Sequence, residues 1–332
     1  MDKETRIYIA GHKGLVGSAL VRELSRSGYV NLLFRDHSEL DLTDQHQVDI
    51  FFDLERPQFV FLAAARVGGI LANSTVPAEF IRDNLAIQIN VLHAAYRVGV
   101  QRLLFLGSSC VYPKNAPQPI AENALLTSSL EPTNRPYAVA KIAGIEMCWA
   151  YNRQYGCRFV APMPTNLYGP NDNYDLMSSH VIPALLAKFH QAKLSHAAEV
   201  VLWGTGTPRR EFLHSDDAAR ACLLLMNLPN DKFDPLVTNR LQPPLVNVGS
   251  GFDLSIRELA MLIAEITGFE GKISFDHRGP DGTPCKLLDS TTIRSLGWKP
   301  LVSLREGIQS SYQDYRATER SISARCGSLA RT

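Results

Sequence analysis

Three glycines follow the first apolar run of the chain at fixed spacing, and no other feature narrows the fold as much. Ile7-Tyr8-Ile9-Ala10 leads into Gly11-His-Lys-Gly14-Leu-Val-Gly17, and apolar residues at helical spacing continue from Leu15 to Arg26. A strand that turns on glycine into a helix gathers backbone N–H groups and the positive end of the helix dipole at one point, which suits a pyrophosphate. The glycines allow the tight turn, the approach of backbone to phosphate and the packing of helix on strand. The pattern predicts a dinucleotide held by Gly11, Lys13, Gly14, Leu15, Val16 and Gly17.

The same alternation repeats downstream. Arg6 to Ala10, Asn31 to Phe34, Phe59 to Ala63, Arg102 to Leu106 and Arg158 to Pro162 read as strands, and Leu15 to Arg26, Asp44 to Leu54, Ala78 to Arg97 and Tyr137 to Tyr155 as helices. Strand and helix in turn predict an α/β fold with a Rossmann-type, doubly wound parallel sheet covered on both faces. After Asn166 the elements shorten and Pro and Gly become more frequent. Helices are expected at Val181 to Gln191, Asp216 to Asn227, Ile256 to Thr267 and Leu304 to Tyr315, the last two opened by capping boxes at Ser255/Glu258 and Ser303/Glu306. This predicts a smaller α/β C-terminal substrate domain. The expected division is 1–170 for cofactor, with returning segments from about 204–250, and 171–317 mostly for substrate. Residues 318–332 are expected to form a flexible tail, because Glu319 to Thr332 lacks a hydrophobic period.

Composition excludes several partners. Among 332 residues, 34 Lys and Arg against 33 Asp and Glu leave a net charge of +1, so no general field draws the chain to nucleic acid or to an anionic membrane. No apolar run approaches the roughly 20 residues of a membrane span. The first residues enter a strand without a signal-like segment, and Cys110, Cys148, Cys157, Cys222, Cys285 and Cys326 form no CxxC pair. Reduced thiols, no metal site and a cytoplasmic location are expected.

Which dinucleotide is bound depends on the end of the second strand, where an acid accepts from a ribose 2′-hydroxyl and a base accommodates a 2′-phosphate. Leu32-Leu33-Phe34 ends in Arg35, with His37 close by and Lys13 in the glycine loop. The three cations favour NADPH/NADP+, and Asp36 is a competing acid.

Tyr137 and Lys141 stand four apart, on one face of a helix, where an ammonium would lower the phenol pKa. Gly107-Ser108-Ser109-Cys110 follows the fourth strand, and active groups in open parallel sheets lie beyond the carboxyl ends of strands. Glycine turn, Ser108 and YxxxK together resemble the extended short-chain dehydrogenase/reductase family over nearly the whole chain. Ala63 to Ile70, Leu106 to Pro113, Glu131 to Asn134, Met163 to Pro170, Ser179-His180, Arg210 to His214 and Pro280 to Pro284 are similar to that family's GDP-sugar 3,5-epimerase-4-reductases.

The resemblance implies NADPH-dependent conversion of GDP-4-keto-6-deoxy-D-mannose to GDP-L-fucose, by epimerisation at C3 and C5 through enolates and then hydride reduction at C4. It implies Cys110 as base, His180 as the acid on the opposite face, Tyr137 as proton donor, Ser108 as hydrogen-bond donor to the carbonyl oxygen, and Lys141 on the nicotinamide ribose. A thiolate beside an imidazolium would stabilise both charges. Further cofactor contacts are implied for Asp41, Leu42, Ala64, Leu106, Gly107, Ser109, Pro164, Asn166, Leu167 and His180. Contacts to a GDP-sugar are implied for Ser108, Cys110, Asn166, His180, Lys188, Trp203, Arg210 and Asp281.

Two departures bear on the sugar. Cys285 stands where similar sequences have Arg, and the Asn173 to Ser178 loop also differs, which leaves room for another nucleotide sugar such as a dideoxy relative. Rival readings are a 4-epimerase retaining NAD, a 4,6-dehydratase, and a non-enzymatic NADPH-binding scaffold. Ser109-Cys110 stands where a dehydratase would carry an acid, Arg35 disfavours a 4-epimerase, and the intact Tyr137/Lys141 pair disfavours a scaffold. The helices Ala78 to Arg97 and Tyr137 to Tyr155 carry more apolar residues than one stripe needs, and the resemblance implies a homodimer through a four-helix bundle.

Overall fold

A computed structural model describes residues 1–175, 178–278 and 283–329, with the side chains of 70–72 and 320–329 left aside. The first half runs β1 (Ile7–Ala10), α1 (Leu15–Arg26), β2 (Leu32–Leu33), α2 (Gln45–Glu55), β3 (Phe59–Leu62), α3 (Ile70–Thr75), α4 (Pro77–Arg97), β4 (Arg102–Phe105), α5 (Arg135–Tyr155) and β5 (Phe159–Pro164). Every residue of β1, β3, β4 and β5 is buried, as expected of strands covered on both faces. The Asp44 carboxylate starts α2 by accepting the N–H groups of His46 and Gln47, and Gly156 ends α5 in the left-handed conformation.

The second half runs β6 (Asn166–Tyr168), α6 (Val181–Leu194), β7 (Glu199–Trp203), β8 (Arg209–His214), α7 (Ser215–Asn227), α8 (Asn230–Val237), β9 (Leu245–Val248), β10 (Asp253–Ser255), α9 (Ile256–Thr267), β11 (Lys272–Asp276), β12 (Cys285–Lys286), α10 (Thr291–Ser295) and α11 (Leu304–Leu329). The main sheet has the order β2-β1-β3-β4-β5-β9, all parallel. The predicted doubly wound sheet is present. Its order reverses between β1 and β3, and in such sheets the crevice outside the carboxyl ends of the strands at that point receives the ligand.

Helices α2, α4 and α5 cover one face through Phe51, Phe52, Val91, Leu92, Ile142 and Ile145. Helices α1 and α7 cover the other through Ala19, Leu20, Leu24, Cys222, Leu225 and Met226. A third cluster joins α6, α9 and α11 through Leu186, Phe189, Ile263 and Ile308. Each buried Val, Leu, Ile, Phe or Met among these contributes about 1.5–3 kcal/mol. Smaller sheets complete this half: β8 pairs with β10, β12 and β6, and β7 pairs with β11.

The short elements α3, α8, α10 and β6 to β12 were not among those expected, and two departures from the sequence reading are instructive. β9 was not among the expected strands, because Leu245-Val-Asn-Val248 is short and carries a polar residue. In the sheet Asn247 is fully buried and satisfied, accepting from the Tyr112 hydroxyl at 2.6 Å and donating to Ile120 O at 2.9 Å. The last helix passes both its expected end at Tyr315 and the start of the expected tail at 318, continuing to Leu329. Glu319 is fixed there by His190 and Gln191 of α6, each at 2.8 Å.

Candidate active site

The glycine loop lies in the crevice between β1 and β3, and its three glycines differ in what demands them. Gly11 has φ +82°, and a Cβ on it would lie 2.8 Å from Ala64 Cα and N, so the end of β1 presses on the chain leaving β3. A Cβ on Gly17 would lie 1.9 Å from Gly11 O, so α1 packs directly on the turn. At Gly14, among the described residues, a Cβ would meet nothing nearer than Gly11 O at 3.4 Å, an ordinary contact. Gly14 is also the N-cap of α1 and makes no side-chain cap, so the first-turn N–H groups that no helical carbonyl accepts face outward past a missing side chain. Such a cradle fits the pyrophosphate of a dinucleotide.

The cations expected to meet a 2′-phosphate are placed beside acids. Lys13 Nζ lies 2.5 Å from Asp36 Oδ2, and His12 Nε2 lies 3.3 Å from Asp36 Oδ1. Lys13 thereby holds the Asp36 carboxyl below the usual carboxylate range. Arg35 turns toward α2, where it pairs with Glu55 and lies 5.2 Å from the centre of the Phe51 ring. His37 projects into solvent, 3.9 Å from Asp41. Asp41 itself caps the turn by accepting from Thr43, and the Leu42 carbonyl accepts from Asn90 on α4.

The chain leaving β4 carries the reactive groups. Leu106 and Gly107 prolong the sheet by donating to Leu62 O and Pro162 O, both at 3.0 Å. A Cβ on Gly107 would lie 1.7 Å from Met163 Cε, so any larger residue there would have to push the Met163 side chain aside. Ser108 is extended, and its hydroxyl accepts from the Cys110 N–H at 3.4 Å, which opens a single 3-10 turn over Ser109–Val111. Ser109 and Cys110 are buried. From α5, Lys141 extends across to donate to Leu106 O at 2.7 Å and lies 5.8 Å from the centre of the Tyr137 ring.

Burial governs the ionisation of this group. It pushes Lys141 down to about 8 and raises both the Cys110 thiol and the Tyr137 phenol. The expected lowering of the phenol by Lys141 is outweighed: besides burial, the charge acting on Tyr137 is that of Cys110, which raises it further. The phenol therefore stays protonated near neutral pH, as a proton donor must.

Sequence reasoning gave no role to Lys286, although the string Gly282-Thr-Pro-Cys285-Lys286 was visible. β12 lies parallel to β8, in register at Arg209 and Arg210, and this brings Lys286 to the thiol. Its ammonium is the strongest charge favouring the Cys110 thiolate, followed by the Ser108 hydrogen bond and Lys141. It also lowers His180, whose imidazolium is first disfavoured by its surroundings. No direct pairing of Cys110 with His180 appears among the described residues, and the expected mutual stabilisation is replaced by a lysine that acts on both. No signal in the sequence could have found Lys286, because no strand propensity marks Cys285–Lys286 and its place opposite Arg210 is set by the register of β12 on β8.

His180 is the N-cap of α6 and is open to solvent. Its approach is fixed by a contact between two separately noted strings. Gly69 N–H donates to Ser178 O at 2.9 Å, and a Cβ on Gly69 would lie 2.8 Å from Ser179 O. Among the described residues, Ser179 Oγ and Asn134 Oδ1 at the start of α5 are buried and find no partner, which marks polar positions that a ligand can satisfy.

On the substrate side, β6 follows Pro164 and pairs with β8, and Asn166 Nδ2 donates to Glu211 O at 2.8 Å while Leu167 packs in the core. Lys188 donates to Val201 O at 2.5 Å. Trp203, at the end of β7, is 76% exposed, so it presents a free face and is not packed in the core. Arg210 donates to Arg209 O and bears on both Cys285 and Lys286. Asp281 lies outside the described residues. The Cys285 thiol donates to Asp253 Oδ2 at 3.3 Å while Arg209 holds Oδ1 at 3.0 Å, so Asp253 is satisfied without an arginine at 285.

This arrangement agrees with what similar proteins are. The model of the NAD dependent epimerase/dehydratase family matches residues 7–239. The chain belongs to that family. It is 57% identical over 314 residues to GDP-L-fucose synthase 1 of Arabidopsis thaliana, covering 95% of this chain and 94% of that protein. It is 53% identical over 315 residues to GDP-L-fucose synthase of Escherichia coli K12, covering 94% and 97%. Among solved structures, a GDP-D-glycero-L-gluco-heptose synthase from Campylobacter jejuni, determined in the presence of NADPH, matches with a TM-score of 0.87 and 39% identity over 95% of this chain and 99% of that one. Among the described residues no helix is long and apolar enough to cross a membrane, and no group of acidic, His and Cys side chains is gathered to hold a metal.

Proposed function

We propose that the chain converts GDP-4-keto-6-deoxy-D-mannose to GDP-L-fucose with NADPH, inverting C3 and C5 and then reducing C4. The observation that carries this reading is the set of groups at the carboxyl end of β4. The Ser108 hydroxyl, the Cys110 thiol, and Tyr137 with Lys141 form it, in a chain this close to proteins bearing the GDP-L-fucose synthase name. A dehydrogenase needs the hydroxyl, phenol and lysine. The thiol, with two lysines acting on it, is the addition that epimerisation requires.

The C4 ketone acidifies the protons at C3 and C5. The Cys110 thiolate removes one of them, Ser108 and Tyr137 donate hydrogen bonds to the enolate oxygen, and the His180 imidazolium returns a proton to the opposite face. In the resting site the thiol is raised and the imidazole lowered, so both rest neutral with the proton on sulfur, and epimerisation requires that proton to leave Cys110 and His180 to gain one. NADPH, when bound, supplies a hydride to C4. Tyr137 would then give its proton to O4, and Lys141 would hold the nicotinamide ribose.

The cofactor is held by the loop Gly11 to Gly17 and by the ends of β2 to β5, within residues 1–170 and the returning 204–250. The sugar nucleotide lies mostly against 171–317, on Lys188 and Trp203, with Asn166 and Arg210 reaching it from the cofactor part. Two copies pair through α4 and α5, whose outer faces expose Ile89, Val139 and Tyr155, with Tyr155 stacked on Tyr96 at 4.3 Å. A four-helix bundle would cover them. Free thiols at the described cysteines suit a cytoplasmic location.

The test is to incubate the protein with GDP-4-keto-6-deoxy-D-mannose and NADPH in D2O, following absorbance at 340 nm and the product by NMR. The expected product is GDP-L-fucose with deuterium at C3 and C5. NADPH binding without its oxidation would leave the cofactor reading standing and reject this sugar.

A further inference from the structure

Every cation that the chain offers to a 2′-phosphate already faces a carboxylate: Lys13 faces Asp36, Arg35 faces Glu55 and His37 faces Asp41. Asp36 differs from the other two acids in its position. It stands three residues past the end of β2 and about twenty beyond the glycine loop, in the region where an acid accepts from the 2′-hydroxyl of a ribose that carries no phosphate. Its carboxylate is held from two sides, Oδ2 at 2.5 Å from Lys13 Nζ and Oδ1 at 3.3 Å from His12 Nε2, and its own N–H donates to Glu39 Oε2 at 2.7 Å. His12 is in turn held against Phe34, 5.1 Å between ring centres. The acid is fixed on the glycine loop and does not swing free in solvent.

The two cofactors meet this arrangement differently. A 2′-phosphate brings about two negative charges, must displace Asp36 from Lys13, and then lies beside the displaced carboxylate. A 2′-hydroxyl donates to Asp36 and leaves the pair with Lys13 intact. Arg35, turned to Glu55 and the Phe51 ring, must also exchange one carboxylate for the phosphate.

We propose that Asp36 is a specificity-determining residue that holds the preference for NADPH over NADH to about tenfold or less and gives NADH a usable seat. This rests on the cofactor reading above. Asp36 stays ionised throughout the neutral range, so the effect does not fade near pH 7.

The test titrates NADPH and NADH in parallel, at one ionic strength, by nicotinamide fluorescence on the full chain and on Asp36→Asn, Lys13→Met and the double variant. Asp36→Asn keeps the side-chain volume at a solvent-facing position, and its thermal unfolding is recorded alongside. The expected result is an NADPH affinity about tenfold higher and an NADH affinity severalfold lower in Asp36→Asn, with the NADPH gain gone once Lys13 is absent. An unchanged NADPH to NADH ratio in Asp36→Asn, or a gain that persists without Lys13, overturns the proposal. Failure of the wild-type chain to bind either cofactor overturns the cofactor reading itself, and the two failures are thus distinct.

Discussion

Gly14 and Gly17 stand three residues apart in one loop, and the structure assigns their lack of a side chain to different causes. At Gly17 an added Cβ falls 1.9 Å from Gly11 O, about 1.5 Å inside an ordinary contact. The near atom is backbone of a turn already pressed on Ala64, so α1 has to slide outward. Overpacking of that kind costs about 1–3 kcal/mol, or a Tm lower by about 1–4 °C in a chain of this size. At Gly14 the nearest described atom is at 3.4 Å and φ is −76°, so alanine fits. Alanine is a somewhat poorer N-cap than glycine but has less freedom to lose on folding, and the two effects nearly cancel, leaving Tm within about 2 °C of wild type. The methyl would stand where the phosphates approach the first turn of α1, and loss of one or two charge-assisted hydrogen bonds weakens binding by about ten- to a hundredfold. Thermal unfolding and NADPH titration on both variants provide the assay. The expected outcome is Gly14→Ala folded as wild type and unable to bind tightly, against Gly17→Ala destabilised as well. NADPH affinity unchanged in Gly14→Ala would refute the placement of the pyrophosphate on this loop.

Cys110→Ser should abolish deuterium exchange at C3 and C5 while NADPH binding is retained, and exchange at the wild-type rate would remove Cys110 from the base role. Glu211 is fully buried and accepts from Gly251 N–H at 2.6 Å and Leu288 N–H at 3.0 Å. Glu211→Ala orphans both donors and should cost about 2–5 kcal/mol, seen as a Tm drop of several degrees, with Glu211→Gln less affected because one acceptor remains. Burial, aided by Asp314, raises Asp172 from 3.8 to about 7. The folded chain therefore binds this proton more tightly than the unfolded one, so the stability it adds is complete below about pH 4 and disappears as pH rises toward 7. From pH 5 to 8 the wild-type Tm should fall relative to Asp172→Asn, by an amount equivalent to about 2–3 kcal/mol, and parallel curves would refute the shift.

The first half of the fold was legible because its signals are local. A buried parallel strand is a continuous apolar run, and a glycine turn or a capping Asp44 stands next to the helix it opens. β9 was missed because the burial of Asn247 is made possible by Tyr112 and Ile120, more than a hundred residues away. The site divides in the same way. Ser108, Cys110, Tyr137 and Lys141 could be singled out from strings and from resemblance, since each lies just past a strand or on one helix face. Lys286 reaches the thiol only through the register of β12 on β8, which nothing in Cys285-Lys286 announces. Charges were read correctly as residues but not as pairs. Arg35 and Lys13 look free in a sequence, and it takes the fold to set Glu55 and Asp36 against them.

The sixth strand has a consequence for how the protein is made. β5 ends at Pro164 and its outer neighbour β9 does not begin until Leu245, so synthesis at 5–20 residues per second leaves β5 without that partner for on the order of ten seconds. During that interval the emerging chain shows an apolar edge, Phe159-Val-Ala-Pro-Met163, with unpaired backbone groups, the kind of edge that recruits other strands. The N–H groups of Ala161 and Thr165 point to that edge and donate to Pro244 O and Val248 O once β9 is in place, whereas Pro162 faces β4 and accepts from Gly107. A ribosome paused between these two strands would therefore expose the chain at its most aggregation-prone, and a nascent-chain chaperone would find its binding site here.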